Sequence, residues 1–267
     1  MAWLSQDDWR AHPILLGSLT LLLFYNVAIQ RFRWWLLLRM RRPLPWPARA
    51  GWRVAVATTF VPGAESLEML EVTVQALVTM SYPHDTWVLD EGDDPQVQAL
   101  CTRLGARHFS RKSLAHYQMA QGRFQARSKH GNYNAWLAEH GFAHYDLIMN
   151  IDPDHVPAST FLLEVVGYFD DPTVGYVQVA QAYYNQGASF VARGAAEETY
   201  AYYSVTQMAS YALGFPIVTG CHTTHRTAAL QQVGGFAPHD ADDLLSTFLY
   251  RVAGWQGCMF RRSWPGG

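Results

Sequence analysis

The chain has 267 residues and a mass of 30.2 kDa, enough for one large α/β domain with a full core plus an appendage. A net charge of −2 provides no basic field, so no nucleic-acid partner is expected. Cys101, Cys221 and Cys258 are far apart and lack metal-ligand spacing, which excludes a disulfide scaffold and reads as reduced thiols in a cytosolic setting.

The first element is Pro13 to Ile29, which carries no charge; about seventeen residues is the lower limit for spanning hydrocarbon. Arg31, Arg33, Arg39, Arg41 and Arg42 follow it, against Arg10 ahead of it. By the positive-inside rule this places the bulk of the chain on the cytoplasmic face of the cell (plasma or inner) membrane. Trp34 and Trp35 suit the headgroup level, and Phe32 to Met40 is expected to lie along the interface as an amphipathic helix, with membrane lipid as a partner. The alternative is a buried core helix. A signal peptide would want its charge in front and a small-residue cleavage site behind, and neither is present. Residues 1–50 are therefore read as anchor and Pro-rich linker (Leu44 to Ala50), and residues 51–267 as the globular domain.

Strands and helices then alternate, the pattern of a mostly parallel sheet covered on both faces. Strands are expected at Trp52–Thr59, Trp87–Leu89, Ala106–Ser110 and Gly175–Tyr183, and helices at Glu65–Met80, Pro95–Leu104, Asn132–His140, Ser159–Phe169 and Ala195–Tyr211. Arg111 to Gly131 is polar, basic and aperiodic, a loop over a site.

Tyr145 to Pro157 (YDLIMNIDPDHVP) carries the chemistry. Leu147, Ile148 and Met149 fit a strand buried on both faces, and Pro153 and Pro157 break it. Asp152 and Asp154 at its end would raise each other's pKa in a drying cleft. A divalent cation removes that cost, and hard oxygen ligands suit Mg²⁺ or Mn²⁺. Strand ends are also where open α/β sheets bind ligands. A solvated turn would show the same Asp-x-Asp.

Five blocks in order, VLDEG (88–92), SKHGNYNAWL (128–137), NIDPDHVP (150–157), VQVAQAYYN (177–185) and VGGFAPHDADDLL (233–245), resemble the family 2 glycosyltransferases. The likeness is to the cellulose synthase-like, membrane polysaccharide synthase branch, over roughly residues 52 to 260. The resemblance implies a GT-A fold: an α/β, Rossmann-like, mixed but mostly parallel sheet with helices on both faces. It further implies an inverting, metal-dependent hexosyltransferase that moves sugar from a UDP-sugar onto a growing polysaccharide. Alternatives are single-sugar transfer to a membrane lipid or other small acceptor, and an inactive module that binds a nucleotide-sugar. The partners implied are a UDP-sugar donor and a saccharide or lipid-linked acceptor.

By the same resemblance Asp90 contacts the uracil or ribose, with Glu91 replacing a more usual Asp; the bland alternative is an acid near a helix N-terminus. Lys129 approaches the diphosphate, unless it belongs to a solvated basic loop. Asp152 and Asp154 hold Mg²⁺ or Mn²⁺, and His155 touches the diphosphate or the metal shell. Gly220 to Arg226 forms an acceptor-side loop in which Gly220 permits close approach and Cys221, His222 and His225 line the site. Of the acids Asp240, Asp242 and Asp243, register makes Asp243 the general base and Asp242 its neighbour; stabilising acids at a helix N-terminus are the alternative. His222, His225 and His239 read as polar residues rather than a second metal site. Thr59–Gly63 departs from the usual first-strand loop. A Gln-x-x-Arg-Trp motif and further spans, expected after the base, do not occur before Gly267, so the sequence reads as truncated.

Overall fold

The computed structural model describes residues 12–41, 43–239 and 241–260; Arg10, Arg42, Asp240 and residues 261–267 lie outside them. Seven strands form one sheet in the order β3-β2-β1-β4-β6-β5-β7. The strands are β1 (Val54–Phe60), β2 (Asp85–Asp90), β3 (Arg107–Phe109), β4 (Leu147–Ile151), β5 (Val174–Val179), β6 (Thr223–Arg226) and β7 (Gln256–Phe260). All neighbours pair in parallel except β6, which is antiparallel to both β4 and β5.

Successive side chains of a strand point to opposite faces, and β1 shows both faces dry. Val54 and Val56 join one core with Leu147, Met149, Ile151 and Val177. Ala55 and Ala57 join a second with Trp87, Leu89, Ile148 and Trp136. Helices cover both layers: α2 (Leu67–Val78), α3 (Pro95–Leu104), α4 (Lys129–Trp136), α5 (Phe161–Val165), α6 (Phe190–Ala201), α7 (Thr227–Gln232) and α8 (Asp242–Val252). The expected α/β, mostly parallel architecture is present.

Two helices start earlier than periodicity alone implies. Ser128 accepts from Gly131 N (3.1 Å) to start α4, and Ser189 accepts from Ala192 N (3.0 Å) to start α6. N-cap hydroxyls of this kind satisfy otherwise orphaned amides and set the helix start. The expected helix over 159–169 tightens into a 3₁₀ turn at Val166–Asp170. There a Cβ on Gly167 would sit 2.4 Å from the Trp46 carbonyl, so the linker backbone lies against the domain. Tyr168 and Tyr82 hold that linker by donating to the carbonyls of Leu44 (2.9 Å) and Arg49 (2.7 Å).

Two expectations are corrected. Phe32 to Arg39 forms no separate interfacial helix but continues α1 (Pro13–Arg39) without a break. An 18-residue window of α1 has a mean hydropathy of 1.6 and none of it is buried, so α1 is long and apolar enough to cross a membrane. The 220–226 segment is a loop only through His222; Thr223–Arg226 is β6. Its polar composition disguises a strand whose groups are paired inside the sheet: Thr223 Oγ1 donates to Gln178 Oε1 (2.6 Å), and the His225 ring nitrogens meet Tyr250 OH (2.8 Å) and Asn150 Oδ1 (3.0 Å).

Candidate active site

The antiparallel strand determines where the site forms. Thr223, the first residue of β6, lies opposite Asn150 of β4 and Gln178 of β5. The segment 220–222 therefore arrives at the carboxyl ends of β4 and β5, the edge where α/β sheets hold ligands.

Gly220 is the hub. Its φ of +64° is left-handed, and an added Cβ would lie 2.6 Å from Asp243 Oδ1, so glycine is required twice over. Its carbonyl accepts from Lys129 Nζ (3.1 Å) and Asn150 Nδ2 (2.7 Å). One peptide thus gathers Asp243, the Lys129 ammonium and Asn150 of β4, the strand that leads to Asp152 and Asp154. Lys129 Nζ also contacts Asp152 Oδ1 very closely.

One donor atom from each of Asp152, Asp154 and His155 falls within 4.8 Å of the others. His155 Nδ1 lies 2.7 Å from Asp154 Oδ1 but lacks the alignment of a hydrogen bond, while Nε2 meets Gln181 Nε2 at 2.9 Å. Two carboxylates with an ammonium already drawn against one of them, and a ring nitrogen without a partner, are a donor set that fits a hard divalent cation. Glu65, in the loop after β1, belongs to the same field. Burial raises its pKa first and the charges of Asp152 and Asp154 raise it further, against a lowering hydrogen bond from Val61 N.

Asp242 and Asp243 open α8, and Asp243 N donates to Asp242 Oδ1 (3.0 Å). Burial raises the Asp243 carboxyl to about 6, helped by the Asp242 charge and opposed by Lys129. Thr247 keeps the helix in place, donating to Asp243 O (2.9 Å) and accepting from Val218 N (2.8 Å).

Asp90 is fully buried, and its oxygens accept from Gly92 N (2.8 Å) and Asp94 N (2.5 Å) and meet His108 Nε2 (3.1 Å). It builds the turn after β2, and Asp94 then caps α3. Glu91 has its own purpose, because it holds the buried Arg111 through Nε (3.1 Å) and Nη2 (2.9 Å). Arg111 also donates to the carbonyls of Tyr117, Gln125 and Ser128. The basic loop is therefore wound around one internal guanidinium. Sequence reading missed Arg111, Asn150, Gln178 and Glu65. Only a longer acid at position 91 hinted at any of them. Asn134 ties the Gly235–Phe236 turn to α4 by donating to Phe236 O and accepting from Phe236 N (both 2.9 Å). Among the described residues His222, His225 and His239 make no triad: His225 is buried in its own bonds, and burial lowers its pKa to about 3.

The fold, with an Asp-x-Asp after a central strand and a carboxylate facing it from a later helix, is that of the GT-A glycosyltransferases. The chain belongs to the family described as glycosyltransferase like family 2, matched over residues 49–263. Cellulose synthase 1 of Komagataeibacter xylinus is 26% identical over 238 residues, 85% of this chain and 14% of that protein. Beta-monoglucosyldiacylglycerol synthase of Synechocystis sp. is 27% identical over 189 residues, 68% of this chain and 37% of that protein. The chain thus spans well under half the length of the curated relatives it matches. The mannosyltransferase PcManGT from Pyrobaculum calidifontis, solved in complex with GDP-Man and Mn²⁺, superimposes with a TM-score of 0.67 at 17% identity, covering 93% of this chain and 68% of that one.

Proposed function

We propose that this domain is the catalytic part of an inverting, metal-dependent transferase that moves a sugar from a UDP-sugar onto a growing polysaccharide at the cytoplasmic face of the membrane. The observation that carries this reading is the Gly220 hub, which sets the Asp243 carboxylate beside the Lys129–Asp152 pair. Asp243, with Asp242 at its side, takes the proton of the acceptor hydroxyl. The hydroxyl oxygen attacks the anomeric carbon as the bond to the diphosphate oxygen breaks on the opposite face, leaving UDP. A carboxyl raised to about 6 suits a base that works near neutral pH. Asp152 and Asp154, with His155, hold Mg²⁺ or Mn²⁺, which when bound supplies Lewis-acid stabilisation of the departing diphosphate. Lys129, in the first turn of α4, adds a compact positive charge at a helix N-terminus. Asp90 and the turn it builds mark the nucleoside end, and Gly220 admits the acceptor.

Support for the membrane comes from α1 and the arginines behind it. A second reading, transfer of one sugar to a membrane lipid, draws on the likeness to the Synechocystis synthase. The test is calorimetry with UDP and UDP-sugars, followed by transfer assays with oligosaccharide and diacylglycerol acceptors. Binding should need Mg²⁺ or Mn²⁺ and vanish in Asp154→Asn. UDP affinity unchanged by EDTA would sink the proposal, and lipid glycosylation without chain growth would favour the second reading.

A further inference from the structure

Beside the carboxylates lies a second donor set of different chemistry, which shares only His155 with the site of sugar transfer. One donor atom each from His155, Cys221 and His222 falls within 4.8 Å of the others. Cys221 Sγ is 3.2 Å from His222 Nδ1, and the His155 and His222 rings meet edge to face with centroids 4.3 Å apart. Cys221 and His222 are both buried. The backbone holding them is fixed at two points: Gln178 Nε2 donates to Cys221 O (3.0 Å), and Val179 N donates to His222 O (3.1 Å). His222 sits at φ 53°, a left-handed conformation that a residue with a side chain takes only where its surroundings impose it.

A thiolate with two imidazoles is a soft, nitrogen–sulfur set. It matches Zn²⁺ and similar ions, which take three protein ligands and leave a fourth position for water, and it suits Mg²⁺ poorly. We propose that Cys221 and His222, with His155 as the residue shared with the Asp152–Asp154 pair, bind a thiophilic divalent transition ion through sulfur and nitrogen rather than through the carboxylates. The thiol proton of Cys221 leaves to solvent as the sulfur–metal bond forms. The two ligands that define this site, Cys221 and His222, are assigned no step in sugar transfer, so it can be tested apart from that reaction through them.

The test is a Co²⁺ titration of the metal-free, reduced full chain in detergent, read by absorption. A thiolate-to-Co²⁺ charge-transfer band, with the strong visible bands of four-coordinate cobalt, should saturate at about one ion per chain. Zn²⁺ should erase both. Cys221→Ser should remove the thiolate band with the far-ultraviolet circular dichroism unchanged, while Cys101→Ser, Cys258→Ser and the double Asp152→Asn/Asp154→Asn variant should keep it. His222→Ala should weaken Co²⁺ binding by at least about tenfold, and it decides the matter should Cys221→Ser misfold. Saturation without a thiolate band, a band that survives Cys221→Ser, His222→Ala binding like the parent, or loss of the band in the Asp double variant would each overturn the proposal.

Discussion

Replacing Asp243 by Asn separates a cost to the fold from a benefit to the reaction. The carboxyl is raised from an ordinary 3.8 to about 6, chiefly by burial and then by the charge of Asp242. A shift of about two units corresponds to about 3 kcal/mol against the ionised form, and partial contact with solvent reduces this to roughly 1–2 kcal/mol. The folded chain holds this proton to higher pH than the unfolded chain. Stability is therefore lost as pH rises from about 4 to about 6, and the whole penalty is present at neutral pH. Asn has the same shape without the charge. Asp243→Asn should be more stable than the parent by roughly 1–2 kcal/mol at about pH 7.5 and no different at about pH 4. Urea denaturation of both proteins at the two pH values, without added metal, measures this. Sugar transfer should fall by about 10²–10⁴-fold with UDP-sugar affinity nearly intact. An Asp243→Asn protein that is less stable at neutral pH, or equally changed at both pH values, would refute the electrostatic reasoning. Retained turnover in Asp243→Asn with loss in Asp242→Asn would move the base by one residue.

Three further outcomes follow from the same geometry. Gly220→Ala should cost about 1–2 kcal/mol for its left-handed backbone and displace the Asp243 carboxylate, so turnover should fall more than donor affinity; equal falls in both would place Gly220 outside the acceptor side. Arg111→Ala takes the buried counter-charge from Glu91, leaving it the Arg127 amide, and removes the donor to Tyr117 O, so it should destabilise by about 3–5 kcal/mol, with Glu91→Gln milder; a change under about 1 kcal/mol in denaturation would show that the loop does not depend on this guanidinium. Protease added to intact cells should leave residues 52–257 whole if the arginines behind α1 face the cytoplasm, and cleavage there would reverse the assigned orientation.

The strands that could be read from sequence were those whose side chains decide their own environment. VAVATTF and LIMNI are small or branched and apolar, so they belong in a sheet covered on both sides. β6 was not legible because Thr223, Thr224 and His225 become core residues only through partners elsewhere, Gln178, Asn150 and Tyr250. The same holds for the site. Asp152 and Asp154 were accessible because two carboxylates at the end of a buried strand are costly without a reason, whereas Asp243 followed only from the register of the resemblance, since acids at a helix N-terminus are stabilising in their own right. Arg111 looked like one more charge in a basic loop, and its internal role depends on carbonyls that the folded loop turns inward. The starts of α4 and α6 were misplaced because a single serine hydroxyl, rather than hydrophobic period, sets them.

The reversed direction of β6 also bears on the order in which the molecule assembles. β1, β2 and β3 are joined by short crossovers, and β4 extends the same parallel unit, so these four strands can pair soon after collapse. β6 must instead insert between β4 and β5, with the long helical excursion of α6 already made, and distant pairings of this kind are slow to close. Gly220 reaches Lys129, Asn150 and Asp243 only when that insertion is complete. The parallel β1–β4 unit is thus expected to acquire exchange protection before the segment around Gly220 does, and pulse-labelled hydrogen exchange during refolding would resolve the two. A chain stalled at the earlier stage would present a carboxylate pair without the glycine loop that brings the base to it.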